Sequence, residues 1–343
     1  MTITIPEAAE GRLLRSYLKL TLGLSTAALA KLKNHPEGIM VNGARVTVRY
    51  VLKAGDVLTL SEGDTPDAAT ETVLPAELPL DVLYEDDHVI VLNKPPYMPT
   101  HPSHGHLTDT LANALAYRYA RRGEPFVFRP LGRLDRNTSG VVVAGKNRAA
   151  SGALGRSLKE GLVIKRYLAI LEGCLPMDGL THTLTTHVYR PDDRGIQREV
   201  CDPSVPGAEI AITRYRVLAA TRDASLVLAQ PVTGRTHQLR VHFSHLGYPI
   251  LGDDIYGHPS AAMDRHALHA LSLSFPLPFA AVLEAKATST NANPAPLLNH
   301  PDTAGYMHTW APLPPDLQAF LDSHFPQILP TAPTVADLET LRL

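Results

Sequence analysis

The sequence predicts an α+β protein in two parts: a small module of two helices and a hairpin, then a larger domain built on a central sheet. Apolar residues recur at helical spacing between Leu13 and Leu32 and give way to an Asn-Gly turn signal. A polar stretch punctuated by Gly63, Pro66, Pro75 and Pro79 follows. Beyond it, short apolar runs alternate with helical patterns in an irregular order, which suits an α+β domain better than a repeating β-α-β chain. The 343 residues exceed the roughly 100 to 200 of one domain, and 44% apolar content is enough for a real core.

Each element follows from local chemistry. Leu13, Leu14, Tyr17 and Leu18 share one helical face, and Ser25 is placed to cap a second helix running through Ala27, Ala28, Leu29, Ala30 and Leu32. Asn42-Gly43, between Met40-Val41 and Val46-Thr47-Val48, predicts a two-residue hairpin. The expected divisions are a basic module at 1–62, a linker at 63–79, the larger domain at 80–325 and a loosely packed tail at 326–343. Within the larger domain, strands are expected at 88–92, 140–144, 167–171 and 268–273, and helices at 108–119 and 149–158. Leu317, Phe320 and Leu321 predict a closing helix, and 283–304 reads as a disordered surface-loop insertion.

Charge is unevenly distributed. Between Gly11 and Leu60 stand Arg12, Arg15, Lys19, Lys31, Lys33, Arg45, Arg49 and Lys53 against only Glu37 and Asp56, so this segment is +6 and the remainder −8 within a total of −2. A basic patch on an otherwise acidic chain is the footprint of a nucleic-acid-binding module, with a solvated helix face as the alternative. Arg12, Arg15, Lys31, Lys33 and Arg45 are the candidate phosphate contacts.

No apolar run approaches the roughly 18 residues of a membrane span, and the N-terminus lacks a basic region followed by an apolar one, so a cytoplasmic protein without membrane contact is expected. Cys174 and Cys201 are too few for a disulfide framework. Dinucleotide and zinc-protease fingerprints are missing, and Gly145-Lys146-Asn147 lacks the hydroxyl residue of a phosphate loop. The histidines of His101-Pro102-Ser103-His104-Gly105-His106 lack a separate ligand pair, so neither metal nor cofactor is expected.

Arg133-Leu134-Asp135-Arg136-Asn137-Thr138-Ser139-Gly140 sets one carboxylate between two guanidinium groups just ahead of the apolar run Val141-Val142-Val143-Ala144. A cation beside a half-desolvated carboxylate favours its charged form, and an ionised, partly dry Asp is a good nucleophile. Taken alone, the same pattern fits a surface salt bridge. Three further segments supply context. They are Tyr84-Glu85-Asp86-Asp87-His88-Val89-Ile90-Val91-Leu92-Asn93-Lys94-Pro95-Pro96, Lys165-Arg166-Tyr167-Leu168-Ala169, and Thr233-Gly234-Arg235-Thr236-His237-Gln238-Leu239-Arg240-Val241-His242. Gly252-Asp253-Asp254-Ile255-Tyr256-Gly257 and Leu268-His269-Ala270 complete the pattern.

In this order the motifs resemble the RluA-type pseudouridine synthases, over roughly residues 80 to 322. The N-terminal part is similar to the RNA-binding module shared with the fourth small-subunit ribosomal protein. The resemblance implies a mixed, largely antiparallel central sheet split by an RNA-binding cleft, and isomerisation of uridine in ribosomal or transfer RNA. By the same resemblance Asp135 is the catalytic carboxylate, Arg235 pairs with it, and Tyr167 lies against the uracil ring. Arg133 enters the vacated base stack, while Thr138, Leu239 and Arg240 bind substrate in the cleft; Tyr167 and Leu239 also suit a plain core role. Gly132 stands where the family usually has His. The implied partner is structured RNA rather than DNA, bound by a monomer. The competing reading is a non-catalytic RNA-binding or ribosome-assembly factor on the same scaffold, which would gain nothing from keeping a charged trio.

Overall fold

The computed structural model describes residues 2–60, 73–192, 195–278, 299–326 and 343, apart from Gly23, Ser25 and Thr303. In the first 60 residues, β1 (Thr2–Thr4), β2 (Ile39–Val41), β3 (Ala44–Arg45) and β4 (Val57–Leu60) form an antiparallel sheet in the order β1-β4-β2-β3. A short α1 (Leu14–Ser16) runs on into a π turn at Tyr17–Thr21, and α2 (Thr26–Asn34) follows. Ile3, Leu14, Tyr17, Leu18, Leu29, Leu32, Val41 and Leu58 close the core between helices and sheet.

Asn42 and Gly43 both take positive φ, 51° and 77°, as the tight hairpin requires. The Asn42 amide also donates to Asp56 and accepts from the Val57 amide, each at 2.8 Å, which ties the turn to β4. The expected second hairpin strand at Val46-Thr47-Val48 is instead irregular, with β3 ending at Arg45. These residues leave the sheet because the first helix needs them: the Val48 and Tyr50 carbonyls accept the amides of Arg15 and Leu14 at 2.9 and 2.8 Å, satisfying donors a helix start leaves open. The expected Ser25 cap lies outside the described residues.

The larger domain is organised by one long sheet. Its strands are β5 (Asp81–Glu85), β6 (Val89–Lys94), β7 (Arg129–Pro130), β8 (Ser139–Gly145), β9 (Ile164–Glu172), β10 (His182–Tyr189), β11 (Glu199–Cys201), β12 (Glu209–Ala220), β13 (Ala224–Pro231), β14 (Leu268–Pro276), β15 (His300–Pro301) and β16 (Tyr306–Trp310). The path runs β11-β10-β12-β13-β9-β14-β8-β6-β5, with β7 on β8 and β16 on β14. Every pair is antiparallel except β8 with β14, so the sheet is mixed and largely antiparallel, as the resemblance implies.

Helix α3 (Leu111–Ala120) starts on a capping box between Thr110 and Asn113, and α4 (Arg148–Lys159) starts where the Asn147 side chain accepts the Ala150 amide at 2.8 Å. Helix α4 lies within one residue, and α3 within three, of the ranges their apolar spacing predicts. Helices α5 (Gln238–His245) and α6 (Pro315–His324) complete the layer, with Leu317, Phe320 and Leu321 of α6 buried. The insertion expected at 283–304 lies mostly outside the described residues, but its end is not loop: His300–Pro301 pairs with β16. Residues 327–342 of the expected tail also lie outside them.

Where β8 meets β14, Gly140 has φ 109°, and a Cβ there would lie 2.2 Å from the Ala270 carbonyl oxygen. Only glycine lets this parallel pair close. The approach fixes the point where the chain emerges from the Asp135 loop into the sheet.

Candidate active site

The loop from Leu131 to Thr138 joins β7 to its neighbour β8, and the backbone polar groups around Asp135 are held from several sides. Thr100 Oγ1 donates to the Leu134 carbonyl at 2.9 Å and accepts the Leu134 amide at 3.2 Å. The Asp135 carbonyl accepts the Thr138 amide at 3.1 Å. Lys94, fully buried, donates to the carbonyls of Arg136, Pro95 and Met98 at 3.1, 2.9 and 2.8 Å. Arg265, also buried, donates to the Asn137 carbonyl at 2.8 Å while its fork grips Asp316 at 2.6 and 3.1 Å. Four successive carbonyls, from Leu134 to Asn137, are therefore spoken for, and the Asp135 side chain projects from a fixed backbone. Burial draws the Lys94 ammonium down to about 7, with Asp135 opposing and Arg265 adding to the shift.

The carboxylate meets a second fixed assembly. Arg240, on the first turn of α5, makes a two-pronged pair with Asp253, Nε to Oδ2 and Nη2 to Oδ1, both 2.7 Å. Burial alone would raise the Asp253 carboxyl, but this pair and the amides of Ile255 and Tyr256 hold it below the usual carboxylate range. The guanidinium lies over the Tyr256 ring at 5.1 Å and directs Nη1 at Asp135 Oδ2, 3.5 Å away. His237, in the left-handed conformation (φ 56°), places Nε2 3.9 Å from Asp135 Oδ1 while its Nδ1 bonds the Tyr256 hydroxyl at 2.8 Å. Burial lowers the His237 ring, with Asp135 pulling the other way.

Asp135, 29% exposed, faces a cavity of about 200 Å³ lined also by Arg133, Thr138, Lys165, Tyr167, Gln238 and Leu268. Tyr167 is half-buried on β9, and burial, helped by the Asp135 charge, pushes its phenol well above the ordinary value. At neutral pH it is a hydroxyl that can donate, not a phenolate base.

The structure brings together Asp135, Tyr167, Thr138, Arg133, Leu239, Arg235 and Arg240 as residues lining one cavity, but not with the expected pairing. Arg235 does not pair with Asp135: its guanidinium turns to Glu209 at 2.6 Å and the Ile210 carbonyl at 2.9 Å on β12. The left-handed turn at His237 separates the two arginines, sending Arg235 back along β12 and Arg240 inward. Leu239 is 5% exposed and packs in the core as well as lining the cleft. Thr138 is buried, its hydroxyl 2.8 Å from His266 Nε2. Arg133 is exposed on the rim.

Sequence reasoning did not single out Lys94, Thr100, Asp253, Tyr256, Arg265 or His266 for these duties. Lys94, Asp253 and Tyr256 stand inside quoted motifs, so a signal existed; Thr100, Arg265 and His266 carried none. In the N-terminal part Arg15, Lys33 and Arg45 are exposed, Arg45 donates to the Lys33 carbonyl at 3.2 Å, and Arg12 lies 5.8 Å over the Tyr17 ring. The Lys31 side chain lies outside the described residues.

Comparison with known proteins shows what the chain is similar to. The family described as RNA pseudouridylate synthase matches residues 88–245. An uncharacterized RNA pseudouridine synthase of Bacillus subtilis, YjbO, is 36% identical over 88% of this chain and 95% of its own length. Ribosomal large subunit pseudouridine synthase D of Xylella fastidiosa is 35% identical over 79% of this chain and 83% of its own. Among solved structures, human RNA pseudouridylate synthase domain containing 4 shares the fold, with a TM-score of 0.50 and 24% identity over 70% of this chain and 91% of that one.

Proposed function

Since this chain belongs to the RNA pseudouridine synthase family, isomerases that convert uridine to pseudouridine in RNA, we propose that Asp135 is its catalytic carboxylate and large-subunit ribosomal RNA its substrate. The observation that carries this reading is the Arg240 guanidinium, locked onto Asp253 and 3.5 Å from Asp135 in the wall of a cavity that Tyr167 also lines. The substrate follows the name of the Xylella relative. On this reading the protein works on ribosomal RNA in the cytoplasm. Exposed Arg15, Lys33 and Arg45 are proposed as phosphate contacts of the N-terminal part.

The reaction breaks the bond from the ribose to uracil N1, turns the base while it stays bound, and forms a bond from the ribose to C5. C5 loses its proton and N1 gains one, directly or by exchange through solvent, so the product is an isomer of the substrate. A carboxylate beside a guanidinium can stabilise positive charge developing on the sugar, or attack it. The Tyr167 ring packs against the uracil, and its hydroxyl donates a proton or a hydrogen bond. Reaching a stacked base requires extruding it, at a cost of a few kcal/mol offset by such contacts. Incubating the protein with large-subunit transcripts tritiated at uridine C5 should release tritium to water. Wild-type protein that binds RNA and never releases label from total cellular RNA would leave only the binding-factor reading.

A further inference from the structure

Four cations line the cleft, Arg133, Lys165, Arg235 and Arg240, against a single acid, Asp135. Arg240 is committed to Asp253 and Asp135, and Arg235 to Glu209. Lys165 is different. It is half-buried on β9, two residues before Tyr167 and so on the same face of the strand, and it lines the cavity wall with Leu131, Gly132, Arg133, Leu134 and Tyr167. No carboxylate among the described residues lies within ion-pair distance of it, and burial alone draws its ammonium below the ordinary value.

A partly desolvated ammonium without a counterion costs free energy that a plain packing role does not require. The fold even leaves its head room. Gly132 has no side chain, and a Cβ built there would meet only the Lys165 Nζ, at 3.6 Å. The ammonium thus stands at an open point of the wall, within one nucleotide's reach of the ring against which the base is proposed to pack.

We propose that Lys165 is a substrate-binding residue whose ammonium takes a backbone phosphate of the extruded nucleotide, so that the RNA supplies the counterion the protein omits. This deepens the isomerase reading and rests on it. A phosphate is favoured over a uracil carbonyl because Lys carries a compact, strongly hydrated point charge, and only a full anion offsets the hydration it has lost. Arg133, exposed on the rim, remains free to enter the stack.

The test uses the full-length protein and its Lys165→Met, Lys165→Gln and Lys165→Arg variants, binding a large-subunit ribosomal RNA transcript from low to moderate salt. Loss of the contact should weaken binding about tenfold or more, the range of one charge-assisted hydrogen bond. The slope of log affinity against log salt should become shallower by about 0.7 in both Met and Gln variants, and Arg should restore it. Thermal stability of the Met variant should equal or exceed wild type, which separates ligand binding from a structural role. An unchanged salt slope in the Met and Gln variants, or no rescue by Arg, overturns the proposal. Binding and slope are read without turnover, so they decide the role of Lys165 even if the tritium assay fails the isomerase reading.

Discussion

Two arginines five positions apart in one motif do opposite jobs, and burial distinguishes them. The Arg240 side chain is 4% exposed against an Asp253 side chain at 0%, whereas Arg235 and Glu209 are 32% and 59% exposed. Arg240→Leu strands a buried carboxylate and should cost about 3 to 5 kcal/mol. Arg235→Ala breaks a surface pair worth about 0 to 1 kcal/mol. Urea unfolding of the two variants checks this, and equal losses would contradict the assignment of Arg240 as the buried partner. The sequence marks both arginines as site candidates, but it is the left-handed His237, a backbone event without its own sequence signature, that decides which one meets Asp135. Asp135 is legible with its role because its flanking residues form a motif, while Asp253 stands in a motif without showing its role, since its pairing with Arg240, 13 positions away, depends on packing.

At the scale of elements, the Asp135 loop is positioned by groups from β6, the segment before α3 and the segment before β14. Thr100 is the sharpest probe of that support, because its hydroxyl serves both polar groups of Leu134. Thr100→Val keeps the shape and removes both bonds, leaving a partly buried amide and carbonyl unpaired. The expected loss is about 1 to 3 kcal/mol of stability, with a fall in kcat and RNA affinity within about twofold of wild type. A variant that binds weakly yet turns over at the wild-type rate would show that the loop positions RNA rather than the carboxylate. Strands β6, β8 and β9 were readable from apolar runs, at 89–92, 141–144 and 167–171, that are mostly buried along their length. Strand β12 was not, since its buried positions include Ala211, Thr213 and Ala219, too small or too polar to print an alternation that stands out from its surroundings.

Across the whole molecule, three buried histidines tie stability to pH. Burial holds His266 down to about 3, and His242 and His269 down to about 4, against roughly 6.5 in an unfolded chain. Between those limits these rings bind more protons in the unfolded state than in the folded one, so the stability they allow is fully present above about pH 6.5 and falls as pH drops toward 4. Unfolding near pH 5 should take up roughly three protons from these groups, and the urea midpoint should be clearly lower at pH 5 than at pH 7.5. A midpoint that stays level over that interval would mean these rings are charged in the folded protein. The overall plan, α+β with a mixed sheet and a cleft, was legible because motif order carries it, whereas neutral buried histidines depend on the enclosure that only the folded chain provides.

The most direct measurement compares wild type with Asp135→Asn for release of tritium from uridine C5 of a large-subunit transcript, alongside binding of the same RNA. Asn keeps the shape and removes the charge that Arg240 faces. Release should fall to background while affinity stays within about twofold of wild type. Release that persists in the Asn variant would contradict Asp135 as the catalytic carboxylate.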